Sequence, residues 1–251
     1  MRIDKFLSER FNSRSKATEA INKKLVLVNG KAVSASYEVK ESDNIEILKA
    51  DESFVSAGGY KLSKAIKDFG FEVNGKVFAD VGASTGGFTD CLLQNGAKKV
   101  YCIDVGESQL DKSLLCDRVK VIDNFNARNL NAELFEEKLD AVVIDVSFIS
   151  LTYILGAVAS VLEDGKTVIA LIKPQFECES RKVGKNGIVR DSKTHERIIV
   201  KICNFASSVD LAPQSLTNAP VYRDKNKEYL ILLQKNGNSA KIENMLKSVN
   251  L

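Results

Sequence analysis

The 251 residues are 44% hydrophobic and carry a net charge of +3. That is enough apolar material for one large domain, or for a medium and a small one. No apolar run approaches the ~18–20 residues that span a bilayer. The start MRIDKFLSERFN is charged throughout and does not read as a signal peptide, so a cytoplasmic protein is expected. Five cysteines, none in a C-x-x-C pair, argue against a zinc site and a disulfide framework, and the single histidine, His195, excludes chemistry that needs two. The charge is uneven. Residues 1–31 hold eight Lys/Arg against three Asp/Glu, whereas the rest of the chain is slightly acidic. A basic patch at one end suits a polyanionic partner.

From the N-terminus, Ile3, Phe6, Leu7 and Phe11 have helical spacing over residues 3–11. Asn12 or Ser13 can cap a second helix from about Arg14 to Asn22. LVLVNGKAV predicts a hairpin turning at Asn29-Gly30, and NIEIL adds a strand. Residues 1–48 thus form a small α+β unit. MRIDKFL, SRSKATEAI and VNGKAV resemble the S4 RNA-binding domain. The resemblance implies an RNA-facing second helix and loop bearing Arg14, Ser15, Lys16, Lys23 and Lys31, with Arg2 nearby. Long cations in a row neutralise phosphates and release counterions.

Residues 49–59, mixed in charge and rich in small side chains, read as a linker. YKLSKAIKDFG is then a helix with Leu62, Ala65, Ile66 and Phe69 on one face. Strand-like runs follow at 77–81, 99–104, 119–122, 140–145, 167–172, 216–222 and 228–234, with helical stretches between most of them. This alternation predicts a Rossmann-like α/β domain over residues 60–236, with a mostly parallel seven-stranded sheet. The last two runs leave no room for a helix, so the final strand is expected to be antiparallel. Residues 237–251 are a tail with a possible short helix.

The first strand of that domain runs into DVGASTGGF. A nicotinamide site would want G-x-G-x-x-G, which Gly82, Gly86 and Gly87 do not provide. The loop does match G-x-S-x-G, and Ser84, Asp145 and His195 follow a hydrolase order. In that fold, however, the nucleophile follows several strands. His195 reads instead as a surface or capping residue at a helix start. An S-adenosylmethionine (SAM) site fits better. Asp80, Gly82, Ala83, Ser84, Thr85, Gly86, Gly87 and Phe88 give a loop small enough for close backbone approach. Asp104 ends the second strand, placed for two ribose hydroxyls, and Asp123 ends the third, towards the adenine amino group.

Asp145 and Lys173 end the fourth and fifth strands, and a lysine closing so apolar a strand needs an acid partner or a chemical role. Glu228 begins the last strand, and Lys61 lies in the helix before the first. DVGASTGGFTDCLL, YCIDVGESQL, DVSFISL and KPQFE, behind the S4-like unit, resemble the TlyA family, often labelled hemolysins. Its catalytic half is similar to the wider FtsJ class. The resemblance covers nearly the whole chain. It implies SAM-dependent 2′-O-methylation of cytidine in ribosomal RNA, of the large (23S) subunit and, in some members, of the small (16S) subunit too. It also implies a catalytic tetrad of Lys61, Asp145, Lys173 and Glu228, with no metal. One departure is Ala57, where the family usually has Arg. A ribose 2′-hydroxyl is a poor nucleophile until deprotonated, and a neutral Lys173 suits that task. A base-nitrogen methyltransferase would want prolines after strand four, and DVSF has none. A membrane-active hemolysin and an RNA-binding module without catalysis are the alternatives outside this class.

Overall fold

The computed structural model describes residues 1–11, 13–22, 25–40, 42–47, 54–178, 184, 187–220 and 226–251. The chain divides into two compact units, Met1–Ser53 and Phe54–Leu251. In the first, helices α1 (Ile3–Phe6) and α2 (Arg14–Asn22) pack on strands β1 (Val26–Val28), β2 (Lys31–Ala32) and β3 (Ile45–Ile47), in sheet order β2-β1-β3. Ile3, Leu7, Ala17, Ala20, Ile21, Val26 and Val28 form its core. Ser13 caps α2 by accepting the Lys16 N–H. Asn29 and Gly30 both have positive φ, 53° and 75°, as the β1–β2 turn requires. Helix α1 stops well short of Phe11. The Ser8 hydroxyl bonds the Lys5 carbonyl there, a local bond that competes with helical continuation.

The second unit begins with α3 (Ala57–Phe69), followed by β4 (Val77–Val81), α4 (Gly87–Gln94), β5 (Lys99–Ile103), β6 (Val119–Ile122), β7 (Ala141–Ile144), α5 (Leu155–Ser160), β8 (Thr167–Ile172), α6 (Pro174–Glu177), α7 (Ser192–Ser208), β9 (Leu211–Asn218), β10 (Tyr229–Lys235) and α8 (Ile242–Lys247). The sheet order is β6-β5-β4-β7-β8-β10-β9. Strands β4 to β8 are parallel, and β10 is antiparallel to both its neighbours. Alternate residues serve opposite faces. Val77, Ala79 and Val81 pack with α5 and α7, while Phe78, Val100 and Val143 pack with α3 and α4. Both faces are covered, so the central strands are apolar without alternation. Met245 of α8 and Val249 join the first of these cores.

Three expectations change. Residues 54–59, read as linker, belong to the second unit. Phe54 packs edge-to-face on Tyr60 at 5.1 Å, the Val55 N–H bonds Asp90 at 2.7 Å, and α3 starts at Ala57. The connections β5–β6 and β6–β7 contain only short 3₁₀ turns, one in the first, capped by Asp111, and two in the second, capped by Asn126 and Asn131. Such side chains favour caps and turns over helix interiors. Strand β9 starts at Leu211, five residues before the expected 216. Pro213 disguises it, but an edge strand beside a bulge tolerates proline.

His195 is also not a surface or capping residue. It is 1% exposed inside α7, and Asp191 is the cap. The His195 Nε2–H donates to the Val189 carbonyl at 2.9 Å, and Nδ1 accepts the Tyr229 hydroxyl at 2.9 Å. Burial pushes that phenol up to about 12. His195→Ala leaves two buried polar groups unpaired and a void. It should cost about 2–4 kcal/mol in urea denaturation.

Asp80, on β4, is fully buried. Burial pushes its carboxyl up to about 7. The Thr89 hydrogen bond opposes the rise, and the nearby Asp145 and Asp104 charges add to it. In the unfolded chain an aspartate ionises near 3.9. Between the two values the folded protein holds the extra proton, so this group makes stability fall as pH rises. Asp80→Asn removes that titration. Its stability relative to the parent should rise between pH 4 and pH 8, by at most about 4 kcal/mol in urea denaturation. A difference that does not change with pH would show that Asp80 is ionised throughout.

Candidate active site

Strand β4 has β5 on one side and β7 on the other, so the direction of winding reverses there and a crevice opens beyond the carboxyl ends. The loop after β4 enters it. Gly82 has φ 82°, and a Cβ on it would stand 2.6 Å from the Asp145 carbonyl oxygen. Any side chain would therefore push β4 and β7 apart. Asp104, at the end of β5, fixes this loop. Its Oδ2 accepts the Ser84 N–H and its Oδ1 the Gly106 N–H, each at 2.8 Å. The Ser84 hydroxyl donates to Gln109 at 3.2 Å.

Two cavities share this floor. One, of about 390 Å³, is lined by Gly82, Ser84, Asp104, Val105, Phe125 and Val146 among others. The other, of about 160 Å³, adds Ala83, Thr85, Gly87, Phe88 and Lys173. Both include Asp145 and Ser147. An apolar slot beside a carboxylate, leading to a narrower polar pocket, fits SAM: a flat ring, a ribose diol and a charged amino-acid end.

Four charged side chains gather as two ion pairs at the adjoining ends of β8 and β10, with Lys173 and Asp145 lining the smaller cavity. Lys173 Nζ lies 2.6 Å from Asp145 Oδ1 and donates to the Ser147 hydroxyl at 2.9 Å. Lys61 Nζ lies 2.6 Å from Glu228 Oε2. Gln175 donates to Glu228 Oε1 at 3.2 Å. The β8–β10 register pairs Ile172 with Tyr229, so Lys173 and Glu228 lie one step beyond it on adjacent strands. Side-chain exposure is 10% for Lys173, 19% for Asp145, 16% for Lys61 and 14% for Glu228. At such burial the charges act on one another with little solvent screening.

Other expected residues lie elsewhere. Asp80 sits behind the loop and accepts the Thr89 hydroxyl at 2.6 Å, and Gly86 packs against Leu110 and Leu114. Asp123 accepts the Ser108 N–H at 2.9 Å, while Phe125 and Asn126 line the larger cavity. The hydrolase triad does not exist. The Ser84 hydroxyl is on Gln109, and both His195 ring nitrogens are engaged by Val189 and Tyr229. In the first unit Arg2, Arg14, Ser15, Lys16 and Lys31 are exposed. Lys23 lies outside the described residues.

Ser147, Gln175 and Phe148 were not anticipated. The first two each lie two residues past a charged strand end, a spacing that marked them as neighbours. Phe148 is 89% exposed with φ 63°, its ring 4.9 Å from that of Phe176. Glu177 secures the loop, accepting the Leu151 N–H at 2.7 Å and the Ser150 hydroxyl at 2.5 Å.

Comparison with known proteins agrees with this architecture. Residues 54–236 match the FtsJ-like methyltransferase model, and residues 1–45 match the S4 domain. Hemolysin A of Brachyspira hyodysenteriae is 43% identical over 92% of this chain and 98% of its own length. The 16S/23S rRNA (cytidine-2′-O)-methyltransferase TlyA of Mycobacterium tuberculosis is 35% identical over 93% of this chain and 89% of its own. A solved structure from Streptococcus thermophilus, bearing a provisional hemolysin label, has a TM-score of 0.74 at 35% identity, covering 98% of this chain and 94% of that one. The chain belongs to the TlyA family, proteins that join an S4 domain to an FtsJ-like methyltransferase domain.

Proposed function

We propose that this protein transfers a methyl group from SAM to the 2′-oxygen of a cytidine in ribosomal RNA. The observation that carries the reading is the two ion pairs, Lys173–Asp145 lining the smaller cavity and Lys61–Glu228 at the adjoining strand ends, next to cavities whose lining suits SAM. Asp104 would take the ribose hydroxyls, Val105 and Phe125 would flank the adenine, and Gly82 to Thr85 with Gly87 and Phe88 would face the methionine end. When bound, SAM supplies an electrophilic methyl group. In its neutral form, with its own proton released to solvent, the Lys173 amine acts as the general base for the 2′-hydroxyl proton, aimed by Asp145 and Ser147. Lys61, held by Glu228, steadies the ribose, since positioning supplies much of the acceleration in such transfers. Phe148 offers a ring on which an unstacked base can lie. Residues 1–48 read the RNA and the FtsJ-like domain performs the transfer.

The substrate class rests on kinship with the M. tuberculosis enzyme. We take 23S RNA as the first substrate and 16S RNA as the second, with the cytoplasm as the place of action. Among the described residues no helix is long and apolar enough to cross a membrane, and no observation favours a lytic activity.

Lys173→Met keeps most of the side-chain volume and removes the amine. It should retain SAM binding by calorimetry yet lose about 10²–10⁴-fold in single-turnover methyl transfer. Lys173→Arg should fail almost as badly, because a guanidinium does not deprotonate in this pH range. A structural cation would behave in the opposite way, with arginine restoring the ion pair. A fully active Lys173→Arg enzyme would remove Lys173 from the mechanism.

A further inference from the structure

Two of the basic residues in the N-terminal unit share one acid. Asp4, on α1, is 3% exposed. Its Oδ2 accepts Arg2 Nη2 at 3.1 Å, Arg14 Nη2 at 2.9 Å and Arg14 Nε at 3.1 Å. Its Oδ1 accepts Arg2 Nε at 3.3 Å and the Lys5 N–H at 2.8 Å. Both guanidiniums therefore dock by the same Nε–Nη2 edge. A guanidinium carries five N–H groups, so about three on each arginine point away from Asp4. The two arginine side chains remain 50% and 57% exposed. Burial works to raise the Asp4 carboxyl, but the hydrogen bonds and charges of Arg14 and Arg2 outweigh it and hold it below its ordinary value.

Both arginines are also anchored at the backbone. Arg2 pairs with Glu38 across a β-bridge, and Arg14 opens α2, with its carbonyl accepting the Thr18 hydroxyl. Each arm is thus held at its root and at one edge of its tip. One carboxylate neutralises one guanidinium, so the trio keeps a charge of +1. Arg14 on Oδ2 and the Lys5 N–H on Oδ1 already meet both oxygens of the buried carboxylate, and the tips of both arginines remain half in water, where an added ion pair contributes little to stability. A free arginine would lose rotamer freedom on meeting a ligand, and ordering it beforehand removes that cost.

We propose that Asp4 is a positioning residue for RNA binding, holding Arg2 and Arg14 as a preformed double fork for the phosphodiester backbone. The inference rests on the reading of the N-terminal unit as the RNA reader.

The sign of one substitution tests it. Asp4→Asn is nearly isosteric and removes a negative charge. Simple electrostatics then predicts tighter binding of a 23S ribosomal RNA transcript by the full chain. Pre-organisation predicts binding about five- to tenfold weaker. In an Arg2→Ala/Arg14→Ala background Asp4→Asn should cause no further loss. A loss of equal size in both backgrounds would mark Asp4 as merely structural and overturn the inference. Arg14→Lys keeps the charge and breaks the fork, and should also bind several-fold more weakly; parent-like affinity would overturn the inference even if Asp4→Asn did not fold. If the arginine variants weaken binding while Asp4→Asn does not, the Asp4 role falls and the RNA reader stands. If the Arg2→Ala/Arg14→Ala protein binds as tightly as the parent, the RNA-reading role of this face falls and takes the Asp4 role with it.

Discussion

The Lys173–Asp145 ion pair is the interaction on which the catalytic unit turns. Strand β8 is apolar from Val168 to Ile172 and almost entirely buried, so a cation at its end is costly unless an acid meets it. Strand β7 supplies that acid because it lies parallel to β8, with Ile144 opposite Ala170. Breaking the pair from either side would leave a charge withdrawn from water without a partner. The same geometry aims the lysine amine at the pocket beside Gly82.

Sheet topology brings in the second pair. Strand β10 runs antiparallel between β8 and β9, so its first residues meet the last residues of β8. Glu228 thereby reaches the edge that carries Lys173 although it precedes its strand, and it pairs there with Lys61 of α3. The His195–Tyr229 bond fixes the residue next to Glu228 from beneath. The buried His195–Tyr229 contact and the Lys61–Glu228 pair are therefore held by one strand.

Much of this was legible in the sequence because the strands are short, apolar and closed by polar residues. Asp104, Asp145 and Lys173 each announce a strand end, and the positions follow from α/β winding. What escaped depends on tertiary context. Pro213 hid the first five residues of β9 because edge position cannot be read locally. The Asp-, Asn- and Ser-rich connections formed capped 3₁₀ turns where helices were expected. His195 looked polar and exposed because its hydroxyl partner, Tyr229, comes from a distant strand, and its other partner is only the backbone carbonyl of Val189. The glycines of residues 58–59 suggested a linker, but Gly59 lies in α3 because a side chain there would strike the Phe54 ring. In the N-terminal unit the charge pattern showed a basic surface, yet only the structure shows two arginines converging on Asp4.

The central claim is that a lysine-centred site methylates a ribose oxygen. Its most direct test is nucleoside mass spectrometry of unmodified ribosomal RNA after incubation with the purified protein and methyl-labelled SAM. The account predicts label in 2′-O-methylcytidine. Label on a nucleobase, or no transfer by folded protein that binds SAM, would contradict it.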